Sequence, residues 1–153
     1  MMTLNHEFLS FLVQAKKTTY ASGSGALIEP RRMGSKDLPY KDGDYAYMDS
    51  YFGEINFIGQ EIVWHQEKAL WGMNYYGYTY DPIEGFPDFL FECLKQVTAE
   101  VPYRGPNHYK NDIFEYHCSW TGDLNKFQGE ESIRFDDRVI FSLLFHGGNI
   151  QHV

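Results

Sequence analysis

YMDSYFGEINFIGQE at residues 47–61 and YHCSWTGDLNKFQGEE at residues 116–131 read as one motif written twice. The offset is 69 residues through Tyr47 and Tyr116, Ser50 and Ser119, Tyr51 and Trp120, Gly53 and Gly122, and Asn56 and Asn125. One inserted residue makes it 70 for Phe57 and Phe127, Gly59 and Gly129, and Glu61 and Glu131. The following stretches keep that offset, ALWGMNYYG (69–77) against VIFSLLFHG (139–147). Residues 44–52 alternate at strand period, with Tyr45, Tyr47, Asp49 and Tyr51 against Ala46, Met48, Ser50 and Phe52. Paired units of this kind build one sheet or one pocket between them. Positions where the copies differ are the places to look for function.

Working outward, Gly53 and Gly59 bracket a turn, and further strands are expected at 60–66 and 69–79, joined at Glu67-Lys68. Their counterparts fall at about 112–120, 128–135 and 138–146, with Gly147-Gly148 ending the structure. Short consecutive strands with short turns predict antiparallel meanders. A helical pattern precedes each. In 4–20 the stripe is Leu4, Phe8, Phe11, Leu12, Ala15 and Thr19, with Thr3 or Asn5 placed to cap it and Lys16 and Lys17 suited to its C-terminal dipole. Ser22-Gly23-Ser24-Gly25 ends this helix. In 85–98 the stripe is Phe86, Phe89, Leu90, Cys93, Leu94 and Val97, with Pro87 in the first turn. Residues 23–43 read as a long loop with a short edge strand at 26–29, and Pro102-Tyr103-Arg104-Gly105-Pro106 as a rigid turn. The predicted fold is a single α+β domain over 1–153. It consists of two α-β-β-β repeats, about 4–80 and 85–148, with a mostly antiparallel sheet and two helices.

The chain is 153 residues long and 18% aromatic, with 12 Tyr, 12 Phe and 3 Trp, which favours strands and aromatic-lined surfaces. Its net charge of −8 with 13 Lys+Arg argues against direct nucleic-acid binding, where phosphate neutralisation supplies most of the affinity. Cys93 and Cys118 lack CxxC spacing, and Cys93 lies on a helix stripe as a buried thiol. No apolar run reaches about 18 residues and no charged start precedes one, so a soluble cytoplasmic protein without a membrane partner is expected.

The third strands place Trp71, Met73 and Tyr75 against Phe141, Leu143 and Phe145, a face apolar in both copies and therefore core. The other face holds Gly72, Asn74 and Tyr76 against Ser142, Leu144 and His146, and Asp49 stands opposite Cys118. Glu61 and Glu131 are matching acids, and two carboxylates brought together do acid/base work because proximity raises one pKa. Arg104 sits in PYRGP, where a rigid turn presents its planar fork. HxH, HExxH, GxSxG, GxGxxG and P-loop patterns are absent, so no metal site and no cofactor are predicted. The expected function is small-molecule binding in an aromatic cleft. Tyr47, Tyr51, Trp64, Asn74, Tyr76, Trp120 and His146 would form walls and polar anchors, and Asp49, Glu61, Glu131 and Arg104 would supply charge. One alternative is an enzyme using an acid/base pair among Asp49, Glu61, Glu131 and His146. Another is a protein-interaction module, with a homodimer as the simplest partner.

Several motifs carry a resemblance: AKKTTYA (15–21), GSKD (34–37), YMDSYFG (47–53), GQEIVW (59–64), LWGMNYYG (70–77), PYRGP (102–106) and FHGG (145–148). Over about residues 8–148 the chain resembles an uncharacterised bacterial domain family of unknown function. That family occurs alone or C-terminal to an XRE-type helix-turn-helix. The resemblance implies an effector-type domain and assigns no catalytic residues. Since this chain starts almost directly at its first helix, the expectation is a stand-alone domain without DNA binding of its own.

Overall fold

The computed structural model describes residues 4–19 and 27–153. Helix α1 spans His6–Thr18 and is opened by Asn5, whose Oδ1 accepts the Phe8 backbone N–H at 3.0 Å. Strands β1 (Lys36–Asp42), β2 (Tyr45–Gly53), β3 (Phe57–His65) and β4 (Lys68–Thr79) follow. Helix α2 (Phe86–Leu94) precedes β5 (His108–Lys110), β6 (Phe114–Asp123), β7 (Lys126–Phe135) and β8 (Arg138–Asn149). All eight strands form one antiparallel sheet in the order β1-β2-β3-β4-β8-β7-β6-β5. The order reads alike from either edge, with β4 and β8 paired at the centre.

Four strands follow each helix, which corrects the expected three. The predicted loop over 23–43 contains β1, and β5 is only three residues long. Pro39 hid the first strand, since proline donates no ladder hydrogen bond. It is tolerated here because β1 is an edge strand. Residues 20–26, which hold the expected helix end at 22–25 and the start of that loop, lie outside the described residues; Ile28 makes an isolated bridge to Asp37 in place of the short edge strand. Gly59 lies inside β3, so the turn predicted between Gly53 and Gly59 is confined to residues 54–56. The next turn centres on Gln66 and Glu67, one residue before the predicted position. Both residues have positive φ, as do Asp136 and Asp137 at the matching turn, the geometry of a tight hairpin. Gly147 and Gly148 do not end the structure; they pair with Met73 and Gly72 across the central strands.

Both helices cover one face of the sheet. Phe8 packs on Trp71 and Tyr45, and Phe11 on Tyr40 and Tyr45. In the other half Phe86 packs on Phe141, and Phe89 on Tyr109 and Phe114. The predicted core face is buried as expected: Trp71, Met73, Tyr75, Phe141, Leu143 and Phe145 all lie beneath the helices, and Cys93 is buried on α2. The opposite face carries Ile58, Tyr76, Tyr78 and Leu144 exposed. No helix among the described residues is long and apolar enough to cross a membrane.

Candidate functional site

The helix-covered face holds a run of buried charge. Lys16, Asp49, Glu61, Arg104 and Glu131 are each 0–2% exposed. Burying ions this completely is costly unless each finds partners. Lys16 Nζ donates to Glu61 Oε1 and to the Tyr103 carbonyl, both at 2.8 Å, and Tyr47 Oη donates to the same Glu61 oxygen at 2.7 Å. In the other half Arg104 donates to Glu131 Oε1 from Nη2 at 2.6 Å and from Nε at 3.2 Å. Tyr116 Oη donates to Glu131 Oε2 and accepts the Gly105 N–H at 2.9 Å. Each half therefore holds a tyrosine, a glutamate and a cation.

The cations come from different places. Phe8 and Phe11 on α1 correspond in their packing to Phe86 and Phe89 on α2. The same spacing sets Lys16 against Leu94. With leucine there, Glu131 takes its counter-ion from the PYRGP turn instead.

Asp49 has no counterpart in this symmetry, since Cys118 occupies the matching position. It faces Glu61 directly across β2 and β3, with both side chains directed under the helices. Glu61 carries the Lys16 ion pair. Asp49 instead accepts a hydrogen bond from Tyr75 Oη at 2.6 Å. Burial, followed by the neighbouring charge of Glu61, pushes the Asp49 carboxyl up to about 8. At neutral pH it is a carboxylic acid, able to donate as well as accept. Burial also holds the Tyr75 phenol well above its ordinary value and pulls Lys16 below the usual lysine range.

Above these groups lies a cavity of about 290 Å³, bounded by α2 and by β1 to β4. Asp49, Tyr75 and Arg104 form its polar floor. Its walls are apolar, chiefly Leu38, Phe57, Phe86, Leu90 and Leu94. Lys36 and Glu54, an exposed ion pair at 3.1 Å, stand at the rim. The Arg104 guanidinium lies 5.4 Å from the Tyr75 ring centroid, within cation–π range. Gly59 makes this floor sterically feasible. A Cβ there would overlap the Tyr75 phenol, so only glycine lets that ring lie over β3 and reach Asp49.

The matching volume in the other half is filled. Trp120, Phe127 and Phe145 stand where Tyr51, Phe57 and Tyr75 line the cavity. The Tyr103 ring covers them at centroid distances of 5.4, 4.5 and 6.1 Å.

The predicted residues therefore do not share one cleft. Asp49, Tyr51 and Arg104 line the cavity. Tyr47, Glu61 and Glu131 are buried in the ion-pair network, and Trp120 packs on Tyr103. Trp64, Asn74, Tyr76 and His146 lie on the uncovered face, where Asn74 is paired with His146 and accepts from Gln60 at 2.8 Å. Both helices pack on the same side, so polar differences on the other side of the central strands are solvent-facing. The Cys118 thiol is likewise buried on the face away from His146. Glu61 and Glu131 each hold a separate cation and do not form an acid pair with one another; Asp49 and Glu61 do form such a pair.

Sequence reasoning missed Lys16, Tyr75 and Tyr103. Lys16 was visible as a lysine inside an apolar stripe, four residues after Leu12 and eight after Phe8. Tyr75 was visible as the one hydroxyl-bearing member of a matched apolar trio.

Residues 49–150, two thirds of the chain, match the model of a domain of unknown function, DUF5680. The matched span starts at Asp49 on the cavity floor and includes Tyr75, α2, Arg104 and Glu131. No curated protein and no solved structure matches the chain.

Proposed function

The chain belongs to the DUF5680 family, and within it we propose that the cavity over Asp49 binds a small, largely apolar molecule by one polar end. The observation that carries this reading is the floor itself. A carboxyl, a phenol and a guanidinium converge at the base of an otherwise apolar cavity. Ligand sites are typically apolar clefts with a few placed polar groups, and about 290 Å³ suits a small ligand. A neutral Asp49 favours a ligand end that accepts a hydrogen bond, such as a carbonyl or ring nitrogen. An effector role in a cytoplasmic setting follows from the resemblance to bacterial domains found beside a helix-turn-helix. The palindromic sheet supports reading the chain as two related units, each a helix and four strands.

The test is a thermal-shift and calorimetric panel of small apolar molecules that differ only in their polar end: carbonyl, amine or carboxylate. Saturable stabilisation by the carbonyl class is expected. It should survive Asp49→Asn, which keeps a neutral donor, and disappear in Asp49→Ala and Leu90→Trp. Stabilisation untouched by the last two, or none from any class, overturns the reading.

A second reading rests on the opposed Asp49–Glu61 pair, in which one carboxyl is neutral and its neighbour is salt-bridged. Two environments that split two acids in this way suit a general acid. Under that reading Asp49→Asn binds the ligand normally but turns nothing over.

A further inference from the structure

The outer face of the β5–β6 edge carries a cluster that neither the cavity nor the ion-pair network uses. His108 on β5 lies directly opposite His117 on β6, with ring centroids 4.8 Å apart. Glu115 is two residues before His117 on the same strand, so period-two alternation sets both on one face. The Glu115 Oε2 atom lies 2.7 Å from His108 Nε2 and 3.4 Å from His117 Nε2. The three candidate ligand atoms all fall within 4.8 Å of one another. Among the described residues this is the one group of three such side chains placed so closely.

We propose that His108, Glu115 and His117 bind a divalent first-row transition-metal ion, Zn²⁺ being the natural probe, through two imidazole nitrogens and one carboxylate oxygen. An ion about 2.1 Å from each ligand requires ligand atoms roughly 3.0–3.4 Å apart, by the bond lengths usual for zinc. The two nitrogen–oxygen separations already bracket that range. Imidazole with carboxylate is a donor set that suits zinc and its neighbours. All three side chains are 40–48% exposed. Their rings can turn to close on an ion, and water can take the remaining coordination positions.

The site would also do mechanical work. Strand β5 is three residues long and forms the sheet edge, where a short strand has little ladder to hold it. Its inward Tyr109 packs on Phe89 of α2 and donates to Glu92 Oε1 at 2.6 Å. An ion bridging β5 and β6 fastens the strand on which α2 rests. The cluster lies on the opposite face from the cavity, so it stands or falls independently of the ligand reading.

The experiment is calorimetric titration of Zn²⁺ into the chelator-stripped full chain, with Co²⁺ absorption as the spectroscopic check. One ion per chain is expected, with visible Co²⁺ bands. His108→Ala and His117→Ala should each weaken binding at least about tenfold, the lower limit usual even for residues that only support a metal's ligands. His146→Ala, on the same sheet face but away from the cluster, should leave it unchanged. Circular dichroism confirms that each variant is folded; substitution at such exposed positions should leave the fold intact. No stoichiometric uptake at millimolar Zn²⁺ overturns the proposal. So does uptake that persists in the His108→Ala/His117→Ala double variant, or that His146→Ala weakens equally.

Discussion

The sheet under α1 and α2 is hollow over Asp49 and solid over Cys118. The two halves share strand order, turn geometry, a buried tyrosine–glutamate–cation group and the packing of paired helix phenylalanines. They differ at two matched positions and in one filling ring. Asp49 stands where the other half has a thiol, Tyr75 stands where it has Phe145, and Tyr103 fills one half where the other has a cavity of about 290 Å³. The shared parts are buried ion pairs and packed rings that hold the fold, and the differing parts are where a polar floor and an open volume are added. Each variant below tests that division.

The largest effect is expected at the ion pair of the solid half. Arg104→Ala leaves Glu131 buried without its guanidinium, and breaking such a pair costs about 3–5 kcal/mol. Denaturant midpoints measure it. Lys16→Met strips the Glu61 pair, whose two side chains are both fully buried. A smaller loss is expected there because methionine, unlike alanine, keeps the packing of the replaced stem. Equal losses would mean that the stranded carboxylate alone sets both.

Tyr103→Ala should make the solid half hollow. Truncating a buried aromatic costs about 3 kcal/mol or more, because the contacts are lost and the space does not fully collapse. The backbone carbonyl that accepts from Lys16 remains, so the first half's ion pair is untouched. A crystal structure of the variant should show a second cavity over Trp120 and Phe145. If neighbouring rings collapse into it instead, emptiness is a property of the Asp49 side alone.

Gly59→Ala and Gly129→Ala form a matched pair. The added methyl meets Tyr75 in one half and Phe145 in the other. Overpacking of this kind costs about 1–3 kcal/mol in each. Only the Gly59 variant should also displace the Tyr75 hydroxyl from Asp49, read as a shift in the Asp49 carboxyl resonance on titration. If both variants shift that resonance, the halves are coupled through β4 and β8.

Much of this architecture was legible in the chain. Periodicity placed both helices and the six longer strands, because alternation and stripes survive wherever one face is buried. The two edge strands were hidden by Pro39 and by the brevity of His108–Lys110, neither of which leaves a readable period. The acids of the site stood out as matched or mismatched positions: Glu61, Glu131 and Asp49. The facing of Asn74, Tyr76 and His146 was correctly read as opposite to the core. Their inclusion in the cleft failed because polar differences between the copies were sought on the solvated face, whereas the cavity lies on the apolar face beneath the helices. Tyr103 was invisible as a filler, since it becomes one only when the turn before β5 folds back over Phe127. The His108 cluster escaped for a similar reason: its ligands are joined by strand pairing, not by spacing along the chain.

The smallest effect singles out one group. Between the ordinary carboxyl value near 4 and the value of about 8 in the folded protein, Asp49 holds a proton that the unfolded chain has released. Stability from this group is therefore complete below about pH 4 and declines as pH rises toward 8. Across one pH unit near neutrality the loss is about 1 kcal/mol, slightly under the limit for one proton. Denaturant midpoints at paired pH values should show this slope in the wild type and lose it in Asp49→Asn. Cys118 offers the control from the solid half. Burial pushes its thiol up to about 12, so its proton is retained in both folded and unfolded chains at neutral pH. Cys118→Ala should leave the neutral slope unchanged whatever it does to the midpoint. A slope that survives Asp49→Asn and vanishes with Cys118→Ala would reverse the assignment of chemistry between the two halves.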